Sequence, residues 1–178
     1  GNLPTSAVEV YFARTNDATS DNWAPVTGTQ AIPAGNAGGT VPGTISTTGA
    51  VTFGIRQYYN SVATKYSYLV GYYPASNVNY PSTANPGQLQ LTIDGKTDIM
   101  HTPAVSGNRN SSSPLTFAFS HKLCLLQFYV KASALPAVTS ALWGKISNIT
   151  IVNQNTQYTL TLPSTGTFGG TAGNINTW

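Results

Sequence analysis

Leu115, Phe117 and Phe119 alternate with Thr116, Ala118 and Ser120, and the alternation resumes as Leu126, Phe128 and Val130 against Gln127, Tyr129 and Lys131. A period of two sends successive side chains to opposite faces, so the stretch 115–132 (LTFAFSHKLCLLQFYVKA) predicts a strand. Its parity changes on the way. Large residues are odd-numbered before His121 and even-numbered after it, and one regular strand cannot bury both sets. A bulge near residues 123–125, or a corner where the chain changes sheet, restores the register. A buried helix is the competing reading, but Phe, Tyr, Val and Thr at period two, with a poor i, i+3, i+4 repeat, favour the strand. The segment is therefore expected to be the central, bent strand of a β-sandwich, with Phe117, Phe119, Leu126, Phe128 and Val130 as its core.

The same period recurs along the chain. Val8, Val10 and Phe12 predict a first strand ending at Arg14-Thr15-Asn16-Asp17, and Trp23 opens a weak segment through Val26. Residues 27–49 are so rich in Gly, Pro and Thr that only isolated bridges are expected there. Val51, Phe53 and Ile55 form a second run. The segment 66–73 (YSYLVGYY) predicts a strong strand, with Tyr66, Tyr68, Val70 and Tyr72 on one face and Leu69, Gly71 and Tyr73 on the other. Leu89, Leu91 and Ile93 lead into Asp94-Gly95, a hairpin signal, followed by residues 96–100. One or two helical turns are expected in 133–143, ending at Gly144. Ile146, Ile149, Ile151 and Val152 predict another strand, paired across 153–155 with Tyr158, Leu160 and Leu162. About eight short strands between turn residues specify an all-β sandwich or open barrel with long Gly/Thr/Pro-rich loops.

Composition narrows the classes. Only 7% of the 178 residues are charged, against about 25% in an ordinary domain, yet 40% are hydrophobic, with 10 Tyr and 6 Phe. That supplies a core for one domain spanning 1–178 and separates the chain from disordered tails. The net charge of +3 comes from 8 basic and 5 acidic residues scattered singly. No basic patch forms in sequence, so nucleic acid is not expected as a partner. The lone cysteine, Cys124, excludes an intramolecular disulfide and, inside an apolar strand, is expected to be a buried, inert thiol.

Candidate chemistry is sparse. His101 and His121 have no acid or thiol at ligand spacing, so each reads as a hydrogen-bonded structural residue, and neither a metal nor another cofactor is expected. No nucleophile-elbow pattern supports a hydrolase triad, and the five acids stand mostly in turns, a poor source of a glycosidase pair. The tyrosines of 58–80 and the three tryptophans point to a carbohydrate-binding alternative through stacking on sugar rings.

The blocks YLVGYYP (68–74), DGKTDIMHTP (94–103), LTFAFSHKLCLLQFYVKA (115–132) and WGKISNITIVN (143–153) resemble, in order and spacing, the N-terminal domain of the fimbrillins, pilin and pilus-associated proteins of the Bacteroidales cell surface. The resemblance implies a transthyretin-like two-layer β-sandwich, no enzymatic activity, export to the outer membrane or fimbrium as a lipoprotein whose lipid anchor lies outside this chain, and a role in cell adhesion. The partners it implies are other pilin subunits, joined by β-strand exchange, and host or bacterial surface ligands. In that family an arginine-specific protease removes a first strand, and Arg14, in FARTND, resembles the Arg-containing N-terminal segment. It is the candidate processing site. Trp23 lacks the Gly-Asp pair that often follows it in the family. No set of strands comparable to the family's second domain is expected after Val152.

Overall fold

The computed structural model of the chain describes residues 3–15, 40–59, 62–74, 78–79, 88–111, 115–130, 147–161 and 165–176. Among them lie thirteen strands and no helix: β1 (Val8–Thr15), β2 (Thr40–Ile45), β3 (Val51–Phe53), β4 (Ser67–Tyr73), β5 (Val78–Asn79), β6 (Gln88–Thr92), β7 (Met100–His101), β8 (Val105–Gly107), β9 (Ser120–His121), β10 (Thr150–Gln154), β11 (Gln157–Thr161), β12 (Thr165–Gly169) and β13 (Gly173–Asn176). The larger sheet runs β3-β2-β1-β4-β7-β9, with β8 also on β4. A four-stranded sheet runs β12-β11-β6-β5, and β10 pairs with β13. Every pairing is antiparallel.

The two sheets meet through one core. Ala13, Val70 and Tyr72 of the larger sheet pack on Leu89, Leu91, Tyr158 and Leu160 of the smaller one, with Ile99 between. The opposite face of the larger sheet is apolar too. Val10, Phe12, Val41 and Leu69 form a second core, covered by Phe53, Phe117, Phe119 and their neighbours. The alternation in β1 and β4 thus feeds two cores, because both strands are central and covered on both sides. The Phe12 ring meets Phe53 and Phe117 edge-on at centroid distances of 5.0 and 4.9 Å. Burying each such side chain contributes about 1.5–3 kcal/mol.

Several expectations change. Asp94-Gly95 does not close a hairpin: β6 pairs with β11 and β5, whereas β7 pairs with β4 and β9. The turn carries the chain from one sheet to the other. Gly95 sits at φ 77°, and the Asp94 carboxylate accepts the Lys96 and Thr97 N–H groups and the Thr97 hydroxyl. The turn is therefore closed by a side chain without a ladder behind it. Nor do β10 and β11 pair; β10 takes β13 and β11 takes β6 and β12. The Gly/Thr-rich tail supplies β12 and β13, and the Gly/Pro-rich 40–45 forms β2, which is bonded on both edges. Gly43 belongs there because a Cβ would stand 2.7 Å from the Phe12 ring. The weak segment at 23–26 and the helical turns expected in 133–143 lie outside the described residues.

The largest correction concerns 115–130. Only Ser120–His121 is strand. Phe117 and Phe119 do pack into the second core, but Leu126, Phe128 and Val130 are exposed, and so is Cys124. In the folded chain the smaller sheet covers one face of the larger sheet and 115–119 covers the other. No uncovered apolar face is left for a further strand among the described residues.

Candidate functional site

Phe119 lies in the second core and Leu123 against the first, so the chain rounds the edge of the larger sheet between them. Phe119 and Leu123 are both odd-numbered, whereas the even-numbered Leu126, Phe128 and Val130 pack on neither core, so the change of parity marks where the chain leaves the sandwich. Along the edge, Met100 stands opposite His121 and His101 opposite Ser120, and the Lys122 N–H donates to the Ile99 carbonyl at 2.8 Å. The ladder stops there. From residue 124 to 130 the side chains are exposed, and among the described residues no strand pairs with this ribbon. Leu125 is 95% exposed, Tyr129 84%, Val130 66%, Leu126 59% and Phe128 45%. Odd and even positions are both apolar, so whichever way the ribbon turns it presents a hydrophobic face to water. Exposed apolar surface next to an open sheet edge is the usual mark of an interaction site.

The two histidines flank this edge with different surroundings. His121 pairs with the Asp98 carboxylate at the surface, while the other Asp98 oxygen accepts the Ile99 N–H at 2.8 Å. A surface pair of this kind contributes about 0–1 kcal/mol. His101 is buried, with Nε2 3.0 Å from the Tyr158 hydroxyl and Nδ1 3.4 Å from the Thr102 carbonyl. Burial first, and then the Lys122 ammonium, pull its pKa below the ordinary 6.5, against the opposing hydrogen bond to Thr102. Burial pushes the Tyr158 phenol up from 10.0. No group of three or more His, Cys, Asp or Glu side chains suited to a metal occurs among the described residues.

Arg14 is not an accessible processing site in this fold. It is 1% exposed, on a strand bonded to β2 on one side and β4 on the other. Its guanidinium donates to Gln57 Oε1 at 2.6 Å, to the Tyr58 carbonyl, and to Ser67 Oγ at 3.5 Å. Burial lowers its pKa from 12.5. The side chain turns into the sheet region because the oxygens of the 55–58 segment replace water around it, a role that FARTND does not reveal.

The tyrosine stripe divides. Tyr72 is buried, Tyr68 and Tyr73 are half-buried in the cores, and Tyr58 and Tyr66 are exposed. Tyr66 and Tyr68 lie 6.3 Å apart with their rings tilted by 44°, which is not a flat stacking platform. Trp23, Trp143 and Trp178 lie outside the described residues. The ribbon was visible in the sequence as the densest apolar run, but its exposure was not.

Against known proteins, the chain matches no family model, no curated protein and no solved structure.

Proposed function

We propose that this chain is a non-enzymatic structural or accessory subunit of a surface pilus, similar to the fimbrillins, that assembles by β-strand exchange and contributes to cell adhesion at the outer membrane. The observation that carries the reading is the ribbon 124–130. A ribbon apolar on both faces would be stable as a strand only between two covering layers, the situation inside a sandwich. Another subunit's sheets offer such layers, and main-chain pairing with it would extend the ladder that ends at Lys122 among the described residues. β9, which among the described residues pairs with β7 alone, leads directly into it, and the resemblance over residues 66–153 points to the same mode of assembly. Other subunits are the partners in this reading, and no pocket chemistry is required.

The test is assembly of the purified chain, followed by sedimentation and electron microscopy over a range of concentrations. Fibres or higher-mass species are expected, and a peptide of residues 122–131 is expected to suppress them. The double variant Leu126→Lys, Phe128→Lys should stay single-copy with an unchanged melting temperature, because both positions are exposed. A chain that remains single-copy throughout, or a double variant that assembles as well as the parent, overturns the reading. Binding to a glycan panel that is lost in Tyr66→Ala would instead support the carbohydrate-binding alternative.

A further inference from the structure

His101 joins the two sheets at the edge from which the ribbon departs. Its backbone stands opposite Tyr72 on β4 and Ser120 on β9, and the Ser120 hydroxyl donates to the His101 carbonyl at 3.3 Å. Its ring reaches across the core to Tyr158 on β11, in the other sheet, with ring centroids 6.0 Å apart. The partner's hydroxyl has a seat made for it: a Cβ at Gly166 would fall 1.6 Å from the Tyr158 oxygen. Nδ1–H donating to the Thr102 carbonyl leaves Nε2 to accept the Tyr158 O–H, so the arrangement suits the neutral imidazole.

A proton on His101 reverses that arrangement. Nε2 becomes a donor, the Tyr158 hydroxyl has to turn its hydrogen elsewhere, and a charge enters a cluster made of Leu89, Leu91, Ile99 and Leu160. The groups facing the ring are Tyr72 from β4, Tyr158 from β11 and, just past β9, Lys122, whose charge has the same sign. Nearby, Asp98 and His121 pair at the surface.

We propose that the His101–Tyr158 contact is a proton-sensitive clasp that holds β7, the edge strand β9 and the root of the ribbon onto the sandwich, and that acid releases them. The sign follows from the depressed folded-state pKa. Above the unfolded value of about 6.5 the clasp contributes in full; as the pH falls below it, the opened form takes up the proton more readily and the edge loosens. His121, exposed on the same edge and paired with Asp98 at the surface, is the control. As regulation of strand exchange, the clasp rests on the function proposed above; the opening itself does not.

Hydrogen exchange of the full chain at pH 7.5 and pH 5.0, corrected for intrinsic rates, tests it. Protection over residues 99–102 and 119–123 should be lower at pH 5.0, by up to about thirtyfold, the limit set by an unfolded value of about 6.5. His101→Gln should abolish the pH response, and His121→Asn should retain it. Tyr158→Phe, which keeps the ring, should lower protection of the same segments already at pH 7.5. Equal protection at both pH values, an unchanged response in His101→Gln, or normal protection in Tyr158→Phe at pH 7.5 overturns the clasp. Fibres without an acid response would remove the clasp and keep the pilus reading; an acid response without fibres would do the reverse.

Discussion

Gly71 and Phe119 share one volume: a Cβ built on Gly71 would stand 2.6 Å from Cζ of the Phe119 ring and 3.0 Å from Phe12. The segment 115–119 can lie flat on the larger sheet only because β4 has no side chain at that point. Gly71→Ala should therefore destabilise the fold by about 1–3 kcal/mol, the usual cost of overpacking a filled core. Adding Phe119→Leu should recover part of the loss. A urea-denaturation cycle would show a coupling above about 0.5 kcal/mol between the two sites, and additive effects would mean that the rings move aside freely.

Thr102 repairs the ladder where β7 gives way to β8. Pro103 follows it, and the Gly71 N–H bonds the Thr102 hydroxyl at 2.9 Å, while the Thr102 N–H returns to the Gly71 carbonyl at 2.9 Å. Both residues are buried. Thr102→Val keeps the shape and removes the acceptor, leaving a buried N–H without it. The expected loss is about 1–3 kcal/mol by thermal or chemical unfolding, and Thr102→Ser should be milder.

Arg14 should resist proteolysis in the native chain. An arginine-specific protease is expected to cut first after Arg56 and Arg109, which are exposed, and to cut after Arg14 only once the sheet has opened. Mass spectrometry of timed digests checks this order. Arg14→Ala should cost about 3 kcal/mol, since Gln57 Oε1 and the Tyr58 carbonyl lose a charged donor and a cavity is left. Early cleavage after Arg14 in the folded chain would return that residue to its role as a processing site.

Asp94 makes acid stability measurable at the turn between the sheets. Burial raises its pKa, but the Thr97 hydroxyl and the Thr97 and Lys96 N–H groups outweigh burial and bring it below 3.8. A depressed carboxylate contributes stability that is present above the unfolded value and lost as the pH falls through the folded one. Asp94→Ala should therefore cost about 1 kcal/mol at pH 7 and progressively less below pH ~4. Parallel unfolding curves for the two proteins over pH 2–7 give the comparison; a constant difference across that range would exclude the carboxylate as the cause.

Period two alone identified β1, β4, β6 and β11 and the two faces of β4, because alternation depends only on the pleat of a strand. The scarcity of charge and the all-β character were legible for the same local reason. Partners were not. Residues 88–92 and 100–101, adjacent in sequence across Asp94-Gly95, belong to different sheets, and β2 forms despite Pro42 and Gly43 because Phe12 needs the space above Gly43. Pairing is a long-range choice that local composition does not encode. The ribbon is the clearest case. Its apolar pattern predicts burial, but burial requires a face that nothing else takes, and only the folded molecule shows both faces of the larger sheet covered by other segments. Arg14 shows the reverse, a charged side chain drawn inside by oxygens 43 and 44 residues away, which no window of the sequence contains.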